Sequence, residues 1–185
     1  MKTLKTMQST WNDVKAKLAA FDRAGLIRLI QDLYAASEDN QAFLRARFSL
    51  SGDVLKPYKA AIDRWLCPDV FKNQYTSVAK ARRAISDYKK AIGQPEGLAE
   101  LMVFYCERAA GFSNDVGLQD EGYFSALVRM FERALKVIGT LSPSRGLELF
   151  ARLDTVRCAS HNVGYGVGDA LDDLFAEHAI DGGPR

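Results

Sequence analysis

Two long stretches in the second half of the chain decide the fold: LAELMVFYCERAAGF (residues 98–112) and YFSALVRMFERALKVI (residues 123–138). Their apolar residues recur every three or four positions, which is the period of an amphipathic helix. The first stripe consists of Leu98, Leu101, Met102, Tyr105, Ala109 and Phe112, and the second of Phe124, Leu127, Val128, Phe131, Leu135 and Ile138. We therefore expect these two helices to form the central hairpin of the core.

The same helical period continues on both sides of this hairpin. Helix starts are indicated by N-capping residues or first-turn prolines at Thr10, Asp22, Ser37, Pro57, Ser77, Pro95, Asp120 and Pro143. No segment alternates with the two-residue period of a strand. The sequence predicts an all-α protein, a compact bundle of about nine antiparallel helices, and a short helical-repeat stack is the alternative. We expect one domain over residues 1–180 and a frayed tail over 181–185.

Composition places the chain among ordinary globular proteins, with 48% hydrophobic and 26% charged residues in a length of 185. Its three cysteines, Cys67, Cys106 and Cys158, are far apart and each has apolar neighbours, which predicts buried, reduced thiols. The N-terminus has no apolar run typical of a signal peptide, and no stretch approaches ~18 consecutive apolar residues. These features predict a cytoplasmic protein that does not enter the membrane.

Charge is distributed unevenly along the chain. Residues 1–90 hold 17 Lys and Arg against 9 Asp and Glu, whereas residues 91–185 hold 8 against 14. Such asymmetry between halves can mark an interaction surface. The alternative is that the two halves fold against each other and neutralise one another.

The most basic segment is a candidate binding surface for nucleic acid or an acidic partner. Its cations are Lys80, Arg82, Arg83, Lys89 and Lys90, and only Asp87 opposes them. We expect them to be exposed, because they fall opposite or beside the apolar stripe of their helix, where they could neutralise phosphates. The alternative is a solvated helix face, favoured by a sequence pI of about 8.4, which is low for a dedicated nucleic-acid binder.

The weakest hypothesis is a metal site near the C-terminus. Its candidate ligands are His161, His178, Asp169 and Asp173. Asp169 and Asp173 lie one helical turn apart, and His178 could meet His161 in the fold. The alternative is that the acidic residues favour the start of their helix through its dipole, and that both histidines are satisfied structurally. We predict no cofactor and assign no catalytic residue, because no catalytic signature is present.

The segment Tyr75–Leu135 and the opening LIRLIQDLY (residues 26–34) resemble a bacterial family of small all-helical proteins known only as a domain of unknown function. The resemblance covers most of the chain, and it rests on helix faces such as VAKARRAISDYKK (residues 78–90) and MFERAL (residues 130–135). It implies a helical fold in a bacterial cytoplasm and carries over no catalytic residue.

Together, these observations favour a non-enzymatic scaffold or protein-interaction module, whose partner is another protein or a second copy of the chain. Nucleic-acid binding through the basic helix is the first alternative. A metal-dependent enzyme is the second.

Overall fold

The computed structural model describes residues 10–48, 50, 52–72 and 74–182, and it contains no strand within them. The helices are α1 (Trp11–Leu18), α2 (Arg23–Ala36), α3 (Glu38–Arg47), α4 (Lys56–Leu66), α5 (Val78–Ala91), α6 (Pro95–Val116), α7 (Glu121–Ile138), α8 (Pro143–Ala159) and α9 (Val167–Gly182), with a 3-10 turn at Val70–Lys72. The all-α prediction is confirmed over this part of the chain. Within it, no helix is both long enough and apolar enough to cross a membrane.

Local hydrogen bonds explain why the helices begin and end where they do. The Asp22 carboxylate accepts a hydrogen bond from the Gly25 N–H at 2.7 Å, and the Asp120 carboxylate accepts one from the Tyr123 N–H at 2.9 Å. These carboxylates satisfy N–H groups that have no partner within the first turn of α2 and α7. Gly117 ends α6 with φ +62°, a left-handed conformation that glycine adopts without steric cost.

Helix α6 is longer than the sequence pattern predicts. The apolar stripe ends at Phe112, but α6 continues to Val116. The Ser113 hydroxyl is buried and donates a hydrogen bond to the Ala110 carbonyl, so this polar residue is satisfied inside the helix. Helix α9 likewise runs through Gly182, so the first two residues of the predicted tail are helical, and residues 183–185 lie outside the described part.

The chain divides into two units, Met1–Arg45 and Ala46–Arg185. In the first unit, α1 and α2 bury none of their residues, and the apolar side chains of Leu26, Ile30 and Leu33 on α2 are exposed. The single domain expected over residues 1–180 stays a prediction.

The core of the second unit is built around α6. This helix packs against α4, α5, α7 and α8, and its most extensive pairing is with α7. Leu101, Tyr105 and Phe131 are fully buried between these helices. The predicted central hairpin is confirmed. A helix apolar on nearly all sides, as α6 is, belongs in a core.

The extensive helix pairs of the second unit join helices that are one or two places apart along the chain. Such local packing is typical of helical stacks, so this bundle shares a feature with the alternative of a repeat-like arrangement.

The packing also determines which charged helices are in contact. Helix α5 packs against α4 and α6, whereas α9 packs against α7 and α8, so the basic helix and the acidic helix are not paired with each other.

The three cysteines have different environments. Cys106 is buried and Cys67 is half-buried, whereas Cys158 is exposed on α8. The prediction of a buried thiol was therefore wrong for Cys158. It lies near the C-terminal end of α8, two residues after the buried Val156.

Two glycines of α6 provide a matched test of this packing. A Cβ on Gly97 would lie 1.9 Å from the hydroxyl oxygen of the buried Tyr88, whereas a Cβ on Gly111 would meet nothing within 4 Å. We predict that Gly97→Ala lowers the free energy of unfolding by about 1–3 kcal/mol through overpacking. Gly111→Ala should instead raise it by up to about 1 kcal/mol, because alanine favours the helix. Urea unfolding followed by circular dichroism measures both values, and equal effects of the two substitutions would contradict the packing.

Candidate functional site

The outward face of α5 carries the predicted basic residues. The buried residues Ala81, Ala84, Ile85, Tyr88 and Ala91 hold the opposite face against the core. The cations Lys80, Arg82, Arg83, Lys89 and Lys90 are all exposed, as the sequence predicts. Because this buried face anchors α5 in the core, the cations have a fixed position on the surface.

These cations form two rows along the helix. Arg82 and Lys89 are seven residues apart, as are Arg83 and Lys90, and residues at this spacing share a helix face. The Asp87 carboxylate lies between Arg83 and Lys90, at 3.6 and 3.8 Å from their nitrogens. Ion pairs this long and this exposed are worth little, so most of the positive charge on α5 stays available.

A groove continues the basic surface at the corner between α4 and α5. It has a volume of about 430 Å³ and is lined by Arg64, Trp65, Pro68, Gln74, Tyr75, Thr76, Ser77 and Lys80. The Lys80 ammonium lies 3.8 Å from the centre of the Trp65 ring, and the Arg64 guanidinium carbon lies 5.2 Å from it. These cation–π contacts hold two positive charges at the groove.

A backbone hydrogen bond closes the connection between α4 and α5. The Ser77 N–H donates to the Trp65 carbonyl at 2.8 Å, and the Ser77 hydroxyl caps the start of α5 by accepting from the Lys80 N–H at 3.4 Å. This places the first turn of α5 beside the last turn of α4. Helical periodicity does not predict this juxtaposition, because Trp65 falls among the apolar residues of α4.

Glu100 is a buried carboxylate that the sequence pattern missed. It lies on α6 with only 5% of its surface exposed. Lys59 of α4 contacts it at 2.7 Å, and Arg145 and Arg152 of α8 contact it at 2.8 and 2.7 Å. Arg152 also makes a bidentate pair with Glu107, with both distances 2.8 Å. We call Lys59, Glu100, Glu107, Arg145 and Arg152 the Glu100 cluster. The cations of this cluster form ion pairs with carboxylates of the same chain, whereas most of the α5 cations remain available.

The Glu100 cluster also determines the ionisation of its central carboxylate. Burial alone would raise the pKa of Glu100, but hydrogen bonds and positive charge from Arg152 and Lys59 outweigh it and lower that pKa to about 2. The carboxylate is therefore ionised at neutral pH and joins α4, α6 and α8.

The predicted metal ligands are not assembled into one site. The described residues contain no group of three or more His, Cys, Asp or Glu side chains that could hold a metal ion. His161 instead lies 3.7 Å from Asp172, which also pairs with Arg157, and His178 contacts the Leu174 carbonyl at 3.0 Å. Asp169 and Asp173 are exposed on α9. We therefore propose no metal site from these four residues.

The core thiols and phenols are poor nucleophiles at neutral pH. Burial raises the pKa of Cys67 to about 11, and it raises the pKa of Cys106 and of Tyr105 as well. The buried Tyr105 hydroxyl has no hydrogen-bond partner among the residues that the structure describes. These groups contribute to packing.

Comparisons of the chain with protein-family models, with curated proteins and with solved structures find no match. The resemblance to a bacterial family of small helical proteins stays a prediction.

We predict that Glu100→Gln lowers the free energy of unfolding at pH 7 by about 2–3 kcal/mol. Removing one partner of a fully buried ion pair costs about 3–5 kcal/mol of folding free energy. The cost is smaller here because the side chains of Lys59, Arg145 and Arg152 remain about 30% exposed to water. The folded pKa lies below the ordinary value of 4.5, so the stabilisation is complete above that value and is lost as the pH falls toward 2.

Urea unfolding of both proteins between pH 7 and pH ~2 measures this difference. The stability gap between the native chain and Glu100→Gln should narrow as the pH falls below about 4.5. Glu148→Gln is the control, since Glu148 contacts Arg145 from an exposed position. A gap that is the same at every pH would contradict the assigned ionisation of Glu100.

Proposed function

We propose that this chain is a non-enzymatic helical module that binds a negatively charged macromolecule through α5. The observation that carries the proposal is the outward face of this helix, where five exposed cations face a single carboxylate. Such a surface attracts anionic partners and accelerates their association. The role proposed for α5 is binding, without a chemical step.

The separation of α5 from the acidic helix supports this proposal. If the two helices had packed against each other, their charges would have cancelled inside the chain. Instead, α5 packs against α4 and α6, and α9 packs against α7 and α8. The described side chains give Lys80, Arg82 and Lys89 no ion-pair partner, so these charges are open to a second molecule.

Two kinds of protein partner fit this surface. One is a different protein with an acidic face. The other is a second copy of the chain, since α9 exposes Asp169, Asp173 and Glu177. Contact between α5 of one copy and α9 of the next would be head-to-tail.

Nucleic acid is the second candidate, and a specific observation favours it. Aromatic side chains accompany the cations at the groove, where Trp65 is half-buried and Tyr75 is exposed. Surfaces that combine cations with aromatic side chains are typical of proteins that bind single-stranded nucleic acids.

We also propose a bacterial, cytoplasmic setting for this module. The resemblance of its helix faces to a bacterial family supports this setting. So does its small number of widely spaced cysteines, which suits a reducing compartment.

The test is a variant in which Lys80, Arg82, Arg83, Lys89 and Lys90 are all replaced by glutamine. Binding of two fluorescent probes, a poly-glutamate peptide and a mixed-sequence oligonucleotide, is followed by anisotropy. We predict that the native chain binds at least one probe, that affinity falls at least tenfold between ~50 and ~200 mM salt, and that the variant loses most of the binding.

The matched control replaces Arg133 and Lys136 by glutamine. Both are exposed on α7, and Lys136 contacts Glu132 there. This control should bind like the native chain. Binding that is insensitive to salt, equal loss in the control, or no binding of either probe by the native chain would contradict the proposed function.

A further inference from the structure

We infer that the groove between α4 and α5, together with Phe71 and Tyr75, binds single-stranded nucleic acid by stacking bases on these two aromatic rings. The inference rests on the proposed function of α5 and specifies the chemical class of its partner. It commits to a flexible polyanion with unpaired bases, rather than a duplex or an acidic protein.

The first support is the exposure of the two rings. Phe71 is 95% exposed and Tyr75 is 85% exposed, and the neighbouring Val70 is also exposed. A large apolar side chain left this open loses the free energy that burial would provide. Unpaired bases are partners for such rings, because every base has a flat π-face that stacks on an aromatic ring whatever its sequence.

The second support is the positive charge beside Tyr75. Tyr75 lines the groove together with Arg64 and Lys80. Both cations lie against Trp65, which fixes their positions at the groove wall. A base stacked on Tyr75 would therefore bring its phosphate near two charges that already have a defined place.

The third support is a row of cations leading away from the groove. Lys80, Arg83 and Lys90 follow one side of α5, because their spacings of three and seven residues keep to a helix face. Ten residues of helix span about 15 Å, so this row can follow several consecutive phosphates of one strand. Lys80 belongs to both the groove and the row, so the two meet at this residue.

The two aromatic rings distinguish a single strand from a duplex and from an acidic peptide. The bases of a duplex are stacked on one another and cannot reach the two rings, so a duplex would contact the cations alone. An acidic peptide would likewise use the charges without requiring Phe71 and Tyr75. Dependence on both rings is expected for a single strand only.

The experiment uses the full chain and three labelled probes: a mixed-sequence single strand of about twelve nucleotides, the same sequence as a duplex, and a poly-glutamate peptide. We expect the single strand to bind at least tenfold more tightly than either other probe. Its affinity should depend on salt with a logarithmic slope of about −3, since Arg64, Lys80, Arg83 and Lys90 each supply about −0.7.

The critical variant combines Phe71→Ala with Tyr75→Ala, and the control is Tyr165→Ala. Tyr165 is also an exposed aromatic residue, but it lies between α8 and α9. The double variant should lose tenfold or more of its single-strand affinity and keep the salt slope, whereas the control should match the native chain. Circular dichroism and the thermal midpoint establish that each variant is folded.

A second readout leaves the groove unaltered. The chain has two tryptophans, Trp11 and Trp65, so Trp11→Phe leaves Trp65 as the only tryptophan reporter. Saturation with the single strand should change the emission of Trp65, whereas poly-glutamate should change it less.

The outcomes distinguish this inference from the proposed function. If the duplex or the peptide binds as tightly as the single strand, or if the double variant binds normally, the stacking site is overturned. The proposed function would survive that result, provided that the five-residue glutamine variant of α5 still loses binding. If that variant binds normally as well, both fail.

Discussion

The structure of the second unit depends on burying one helix, α6, on nearly all sides. A helix in that position can carry a charged residue only if its neighbours neutralise the charge. Glu100 meets this condition because Lys59, Arg145 and Arg152 reach it from α4 and α8. The same contacts that satisfy the carboxylate also join three helices.

This requirement also determines which cations remain free to bind another molecule. The Glu100 cluster commits three cations to internal carboxylates, and Arg157 is committed to Asp154 and Asp172 at the junction of α8 and α9. The cations of α5 have no comparable partners. Since α5 and α9 pack against different helices, the unit has a basic helix and an acidic helix whose charges are not used against each other.

Much of the fold could be predicted from the sequence, because local signals determine helix ends and apolar stripes determine which faces are buried. Asp22, Ser77 and Asp120 all precede helices where expected. The exposure of the α5 cations also followed from the helical period. By contrast, the Glu100 cluster joins residues 41–52 positions apart, and periodicity contains no information on such pairs. The groove was missed for the same reason, since Trp65 and Lys80 meet only after the connection between their helices folds back.

The apolar residues of α2 show what helical periodicity does not determine. Periodicity predicts that Leu26, Ile30 and Leu33 share one face, but it does not identify what covers that face. In the second unit, by contrast, every long stripe has a neighbouring helix to pack against. A stripe therefore predicts a helix more securely than it predicts burial.

We propose that the anionic partner contacts the basic side of the second unit and leaves its acidic side uncovered. Amide chemical-shift mapping by NMR, during titration of the labelled full chain with a short single-stranded oligonucleotide, tests it most directly. We expect shift changes concentrated in residues 64–90, with α7 and α9 unaffected. Changes concentrated in α9 or in residues 10–47, with α5 unaffected, would contradict it.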